Sequence, residues 1–124
     1  MDKISSAEEL DVFKKIHALV LKVYELTKQF PSEEKFGLTS QIRRSAISIP
    51  SNLLEGANRL NSKEYRQFVG IARGSTAELK YQLLLSKDLG YISDDIYQST
   101  NQEILDISKM LFGLAKSLEK RSEK

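Results

Sequence analysis

Arginine is the residue type in this sequence whose placement most suggests chemistry. Five of the six arginines, Arg43, Arg44, Arg59, Arg66 and Arg73, fall between positions 43 and 73, a stretch with a single lysine, Lys63. A guanidinium presents a planar fork of donors that matches phosphate or carboxylate bidentately, so a local bias from Lys to Arg has a chemical reason. Two readings stay open. The arginines form a solvated face or pair with Glu55, Glu64 and Glu78, or they hold a phosphate backbone without reading sequence. Glu55, between Leu54 and Gly56, reads as a partly buried carboxylate in need of a partner, with Arg43, Arg44 or Arg73 the candidates.

Other chemistry has little to stand on. Di-metal carboxylate sites in helical bundles need Glu-x-x-His pairs, but the sole histidine, His17, has Lys14 three residues before it. A nucleophile and base pair would have to use that same His17, which sits among Phe13, Val20 and Tyr24 and reads as a helix-boundary residue. Gly70 and Gly74 lie one turn apart inside a helical pattern, which is a packing motif and not a phosphate loop. Without cysteine there is neither disulfide framework nor thiolate site. The expectation is a protein without catalysis, metal or cofactor. Tyr65, Tyr81, Tyr91 and Tyr97 could stack on bases, yet each falls near a core-facing position.

The elements that must position these residues are helices. Behind Ser6 and Glu9, spaced as a capping box, Val12, Ile16, Leu19, Val23, Leu26 and Phe30 recur at steps of four and three. This predicts a first helix over 7–29. A second row of Phe13, Val20 and Tyr24 widens its apolar stripe beyond one packing partner, a surplus that another subunit could cover. After the polar break 32–35, Thr39 is the expected cap of a helix over 39–59, in which Pro50 kinks the helix without dividing it. Ser62 is the expected cap of a third helix over 63–89 ending before Gly90, and its interior Gly70 and Gly74 predict the close approach of another backbone. Ser93 opens a fourth helix over 94–120, where Tyr97, Thr100, Ile104, Ile107, Leu111, Leu114 and Leu118 keep heptad spacing, and the tail 119–124 reads as frayed.

Four such helices joined by short turns make a single all-α domain over 1–124, an antiparallel up-down-up-down four-helix bundle. No apolar run approaches the roughly 20 residues that cross a bilayer, and the N-terminus lacks a signal pattern, so a cytoplasmic protein without membrane partners is expected. The net charge of +2 is too small to announce a polyanion partner. Residues 31–92 carry nine basic against six acidic side chains, whereas 1–30 balance at five each. Copies gathered around an axis would multiply that local excess.

The stretch Thr39 to Ile92 carries the elements SIPSN, EG, GS and LGY in order, within a pattern of Gln41, Arg43, Arg44, Ile49, Pro50, Asn52, Glu55, Gly56, Ser62, Glu64, Phe68, Ala72, Gly74, Ser75, Glu78, Leu79, Gln82, Leu83, Leu89, Gly90 and Tyr91. It resembles the bacterial four-helix-bundle family that includes the 23S rRNA intervening-sequence proteins. The resemblance implies a ring-shaped homopentamer with a basic surface for RNA or DNA. A related branch, the accessory variability proteins of diversity-generating retroelements, implies a protein partner such as a reverse transcriptase. Carried over by position, Arg43, Arg44 and Arg73 are the basic matches, while Pro50, Glu55, Gly56 and Gly74, with Gly70 and Glu78 alongside, are assigned to the fold. The chain departs from the family in having Leu53-Leu54-Glu55-Gly56 where Ile-Ala-Glu-Gly is common, and in lacking a long basic run after Gly56.

Overall fold

A computed structural model describes residues 6–122. Its elements are α1 (Ala7–Thr27), a 3-10 turn (Ser32–Glu34), α2 (Leu38–Ala57), α3 (Ser62–Asp88) and α4 (Asp94–Ser122), with no strand among the described residues. The four helices surround one core. It is built from Val12, Ile16, Leu19 and Val23 of α1, Ile42, Ala46, Ile49 and Leu53 of α2, Val69, Leu79 and Leu83 of α3, and Ile104 to Leu118 of α4 at the expected heptad positions. α1 adjoins α2 and α4, and α3 adjoins the same two helices.

Local chemistry sets the helix ends. Ser6 Oγ accepts from the Glu9 amide at 3.1 Å, capping α1 as its spacing predicts. The expected cap of α2 is displaced: Thr39 lies buried inside the helix, and the free amide of Leu38 donates to Glu34 Oε1 at 3.1 Å. A carboxylate from the preceding turn therefore does the work assigned to a threonine hydroxyl. Asn61, not Ser62, caps α3. It takes the extended backbone that a cap requires, and its side chain accepts from the Glu64 amide at 2.9 Å. Ser93 Oγ accepts from the Ile96 amide at 3.1 Å, as expected for α4.

Gly90 has φ +82°, the left-handed position that glycine occupies freely. There the Tyr91 amide donates to the Ser86 carbonyl and the Gly90 amide to the Lys87 carbonyl, a Schellman closure of α3. α2 runs unbroken through Pro50. α4 is helical to Ser122, so residues 119–122 are ordered helix where a frayed tail was expected, and positions 123 and 124 lie outside the described residues.

Two expectations about packing are corrected. Phe13 and Val20 are half-buried against the core and Tyr24 is half-buried beneath an arginine, so the second apolar row of α1 is partly covered within the subunit. The backbone approach expected at Gly70 and Gly74 happens elsewhere, at Gly56. A Cβ at Gly56 would stand 2.7 Å from Phe68 Cβ and 2.9 Å from Tyr65 Cδ1, whereas nothing lies within 4 Å of one built at Gly70 or Gly74. The tight crossing is that of α2 on α3, braced by Ser48 Oγ and Ser75 Oγ at 2.8 Å and by Asn52 Nδ2 donating to the Ser48 carbonyl.

Candidate nucleic-acid interface

The five arginines do not share one surface. They distribute over three seams between helices, because positions 43, 59 and 66 to 73 point toward different neighbours as the chain winds. At the α1/α2 seam, Arg43 Nε donates to Thr27 Oγ1 at 2.8 Å and its Nη2 to the Tyr24 carbonyl at 3.3 Å, with the guanidinium 4.5 Å from the Tyr24 ring centroid. A cation at the C-terminal turn of α1 complements the helix dipole. Arg43 is thus a clamp between helices. Arg44, one residue on, is exposed and makes no hydrogen bond or ion pair among the described residues.

At the α2/α3 seam, Arg59 reaches Glu55 Oε1 at 2.6 Å and lies over the Phe68 ring at 4.6 Å. This corrects the expected partners of Glu55, which is exposed and one turn away from Arg59, not buried against Arg43, Arg44 or Arg73. An exposed pair at this spacing contributes about 0.3–0.5 kcal/mol. At the α3/α4 seam, Arg66 faces Glu119 at 3.6 Å, and Arg73 donates to Ser108 Oγ at 3.1 Å while lying 4.9 Å from the Phe112 ring centroid. Glu64 and Glu78 are exposed and form no described ion pair with an arginine.

Gly70 and Gly74 floor an open groove at this third seam, about 430 Å³ in volume, with Arg73 and Lys80 beside them. Since nothing opposes either glycine inside the subunit, Gly70→Ala and Gly74→Ala are each expected to raise stability by about 0.5–1 kcal/mol, through helix propensity and a less mobile unfolded chain. Thermal unfolding checks this, and a loss of stability in both variants would show that the groove is filled by another chain.

The tyrosines divide. Tyr65 is buried, its hydroxyl lacking a hydrogen-bond partner in the structure, and burial raises its pKa with Glu9 adding to the shift. Tyr91 is half-buried and donates to Glu34 Oε2 at 2.9 Å, a bond that raises its pKa. Tyr97 is half-buried beneath Lys87, whereas Tyr81, expected near the core, is 62% exposed. His17 is exposed, its ring parallel to Phe13 at 6.3 Å. Among the described residues no group of three or more His, Asp or Glu side chains is placed to hold a metal, and no helix is long and apolar enough to cross a membrane.

The model of the family described as 23S rRNA-intervening sequence protein matches residues 8–113, which takes in all three seams. The chain belongs to that family. No curated protein matches its sequence. A solved structure of a 23S rRNA-intervening sequence protein's structural relative, a protein of unknown function from the S23 ribosomal protein family of Bacteroides thetaiotaomicron, superimposes with a TM-score of 0.81 at 27% identity, covering 88% of this chain and 98% of that one.

In this 23S rRNA-intervening sequence protein the structure also brings forward two residues that the sequence pattern passes over. Lys35 and Phe36 precede α2 and line a groove of about 420 Å³ together with Tyr24, Ser40, Arg43 and Arg44. Its volume falls within the roughly 300–1,000 Å³ of ligand clefts. No carboxylate lines it. The available signal was an aromatic residue outside any apolar period, beside a lysine, in a polar break.

Proposed function

We propose that this protein is a non-catalytic, homo-oligomeric bundle whose helices alternate up and down, and that it holds RNA or another nucleic acid by its phosphates. Alternating direction is supported by the paired positions along each seam. Ser48 meets Ser75 while Gly56 meets Tyr65; Arg73 meets Ser108 while Lys87 meets Asp94; Glu9 faces Arg121 while Lys22 bonds Glu103. In all three, advancing along one helix means retreating along the other.

The observation that carries the binding reading is the groove where Lys35, Arg43 and Arg44 converge without an acidic lining residue. Arg59 and Arg66 are auxiliary, since Glu55 and Glu119 already offset their charge, and Arg73 stands at the second groove. A net charge of +2 gives one subunit a weak field, so juxtaposed copies, in the ring of five that the resemblance implies, strengthen the reading. Exposed Leu21, Ile71, Tyr81 and Phe112 supply apolar surface for such contacts. The affinity for RNA should fall steeply between about 50 and about 300 mM salt. Equal binding at both ends of that range would sink the proposal, and a mass of one subunit by light scattering would sink the assembly.

A second reading, an accessory scaffold for a protein partner such as a reverse transcriptase, is favoured by the open groove over Gly70 and Gly74, where small residues let a foreign helix approach. Under it the arginines act only in the contacts within the subunit.

A further inference from the structure

We infer that the strand held in the groove before α2 is single-stranded, with an unpaired base stacked on Phe36 and flanking phosphates taken by Lys35 and Arg44. This rests on the nucleic-acid reading above and deepens it. Phe36 is 89% exposed, so its ring contributes almost nothing to the core of this subunit. It sits between the 3-10 turn and α2, in a groove whose cationic side chains are Lys35, Arg43 and Arg44. The Lys35 ammonium stands 5.5 Å from the ring centroid, which places a positive charge beside the surface where a base would lie.

A ring flanked by cations is the arrangement that holds unpaired bases. Aromatic faces accept any base by stacking, while lysine and arginine follow the backbone. Bases within a duplex are stacked on one another and present only their edges, and the major groove of double-stranded RNA is too deep and narrow for side chains to read. Phe36 lies on a turn and not midway along a protruding helix, so it suits a base splayed out from its strand. The hydroxyls of Ser40 and Thr39 are the uncharged polar groups of the lining, with no amide side chain to read base edges. Binding is therefore tolerant of sequence and selective for unpaired strands. Arg43 remains engaged with Thr27 and Tyr24, so Arg44 and Lys35 are the cations free to follow a phosphate chain.

The test is fluorescence anisotropy on the full chain with three labelled probes: an unstructured uridine oligomer of about a dozen nucleotides, an RNA duplex of similar length, and an abasic phosphodiester strand. The uridine oligomer should bind most tightly. Phe36→Leu, which keeps apolar surface but removes the ring, should weaken it about fivefold to a hundredfold while leaving the duplex and abasic strands unchanged, and Phe36→Tyr should restore it. Because the side chain is almost wholly exposed, neither change disturbs folding, which circular dichroism verifies. Salt-sensitive binding with no preference for the unpaired oligomer, or equal weakening on all three probes, overturns the single-strand inference and leaves phosphate binding standing. An abasic strand that binds as well as uridine also overturns it. No binding by any probe removes both readings together.

Discussion

Replacing Lys35 and Arg44 together with alanine should lower the affinity for RNA roughly fiftyfold near 0.1 M salt relative to a reference near 1 M, because each lost phosphate contact removes about 0.9 from the salt slope. The slope itself should fall by about 1.8, and titrations at several salt concentrations read it directly. The pair is chosen because Arg44 makes no described hydrogen bond or ion pair, and Lys35 is exposed over Phe36. Their removal costs the fold little. Arg43→Ala would be a poorer probe, since losing its bonds to Thr27 and the Tyr24 carbonyl releases α1 from α2. An unchanged slope in the double variant would move any nucleic-acid contact to another seam, with Arg73 and Lys80 as the next candidates.

The second large effect concerns stability. Gly56→Ala should destabilise the protein by about 1–3 kcal/mol, the cost of overpacking a close crossing. The added methyl would meet Phe68 Cβ at 2.7 Å, Tyr65 Cδ1 at 2.9 Å and the Tyr65 carbonyl at 3.1 Å. Backbone is among the atoms that must yield, so a rotamer change alone cannot relieve it. The usual helix-propensity advantage of alanine over glycine, about 1 kcal/mol, offsets part of the strain, and the measured value is the difference. Urea titration checks the sign. Stabilisation on a par with that expected for Gly70→Ala would mean that α2 and α3 part easily at this point.

The contrast among these three glycines shows what a sequence carries and what it does not. Gly70 and Gly74 have the spacing associated with close helix packing, but spacing cannot say whether a partner stands opposite. The neighbour depends on how α3 rotates against α2 and α4, and that is fixed by the apolar faces of all three helices together. Gly56 was assigned to the fold from the resemblance alone, and its contact pair, Tyr65 and Phe68, lies across the turn. Periodicity served the core well, because Val12, Ile16, Leu19 and Val23, like Ile104 to Leu118, are spaced by the geometry of a single helix. It misplaced two caps for different reasons. At Asn61 and Ser62 two competent residues stand side by side, and only the backbone decides between them. At Leu38 the accepting group belongs to Glu34, in a separate turn.

The arginines were legible as a cluster in sequence but not as a surface. Arg43 looks the same as Arg44 in the chain, yet one reaches back to the end of α1 and the other faces solvent. Adjacent helical positions differ in direction by about a quarter turn, enough to give neighbouring residues unrelated tasks. Arg59 and Glu55 could have been paired from their spacing of four, a rule that holds without knowledge of the tertiary fold.

Glu34 links parts of the chain that are far apart in sequence. One carboxylate oxygen receives the Leu38 amide at the start of α2, and the other receives the Tyr91 hydroxyl from the corner between α3 and α4, where the Tyr91 ring also meets Phe30 at 5.2 Å. The 3-10 turn that contains Glu34 buries no side chain of its own. Its shape is therefore held by a distant corner, much as a keystone is held by the far side of an arch. The ordering of Lys35 and Phe36 is met during folding and does not fall on whatever arrives later, so a visitor finds the ring and the charge already standing in place.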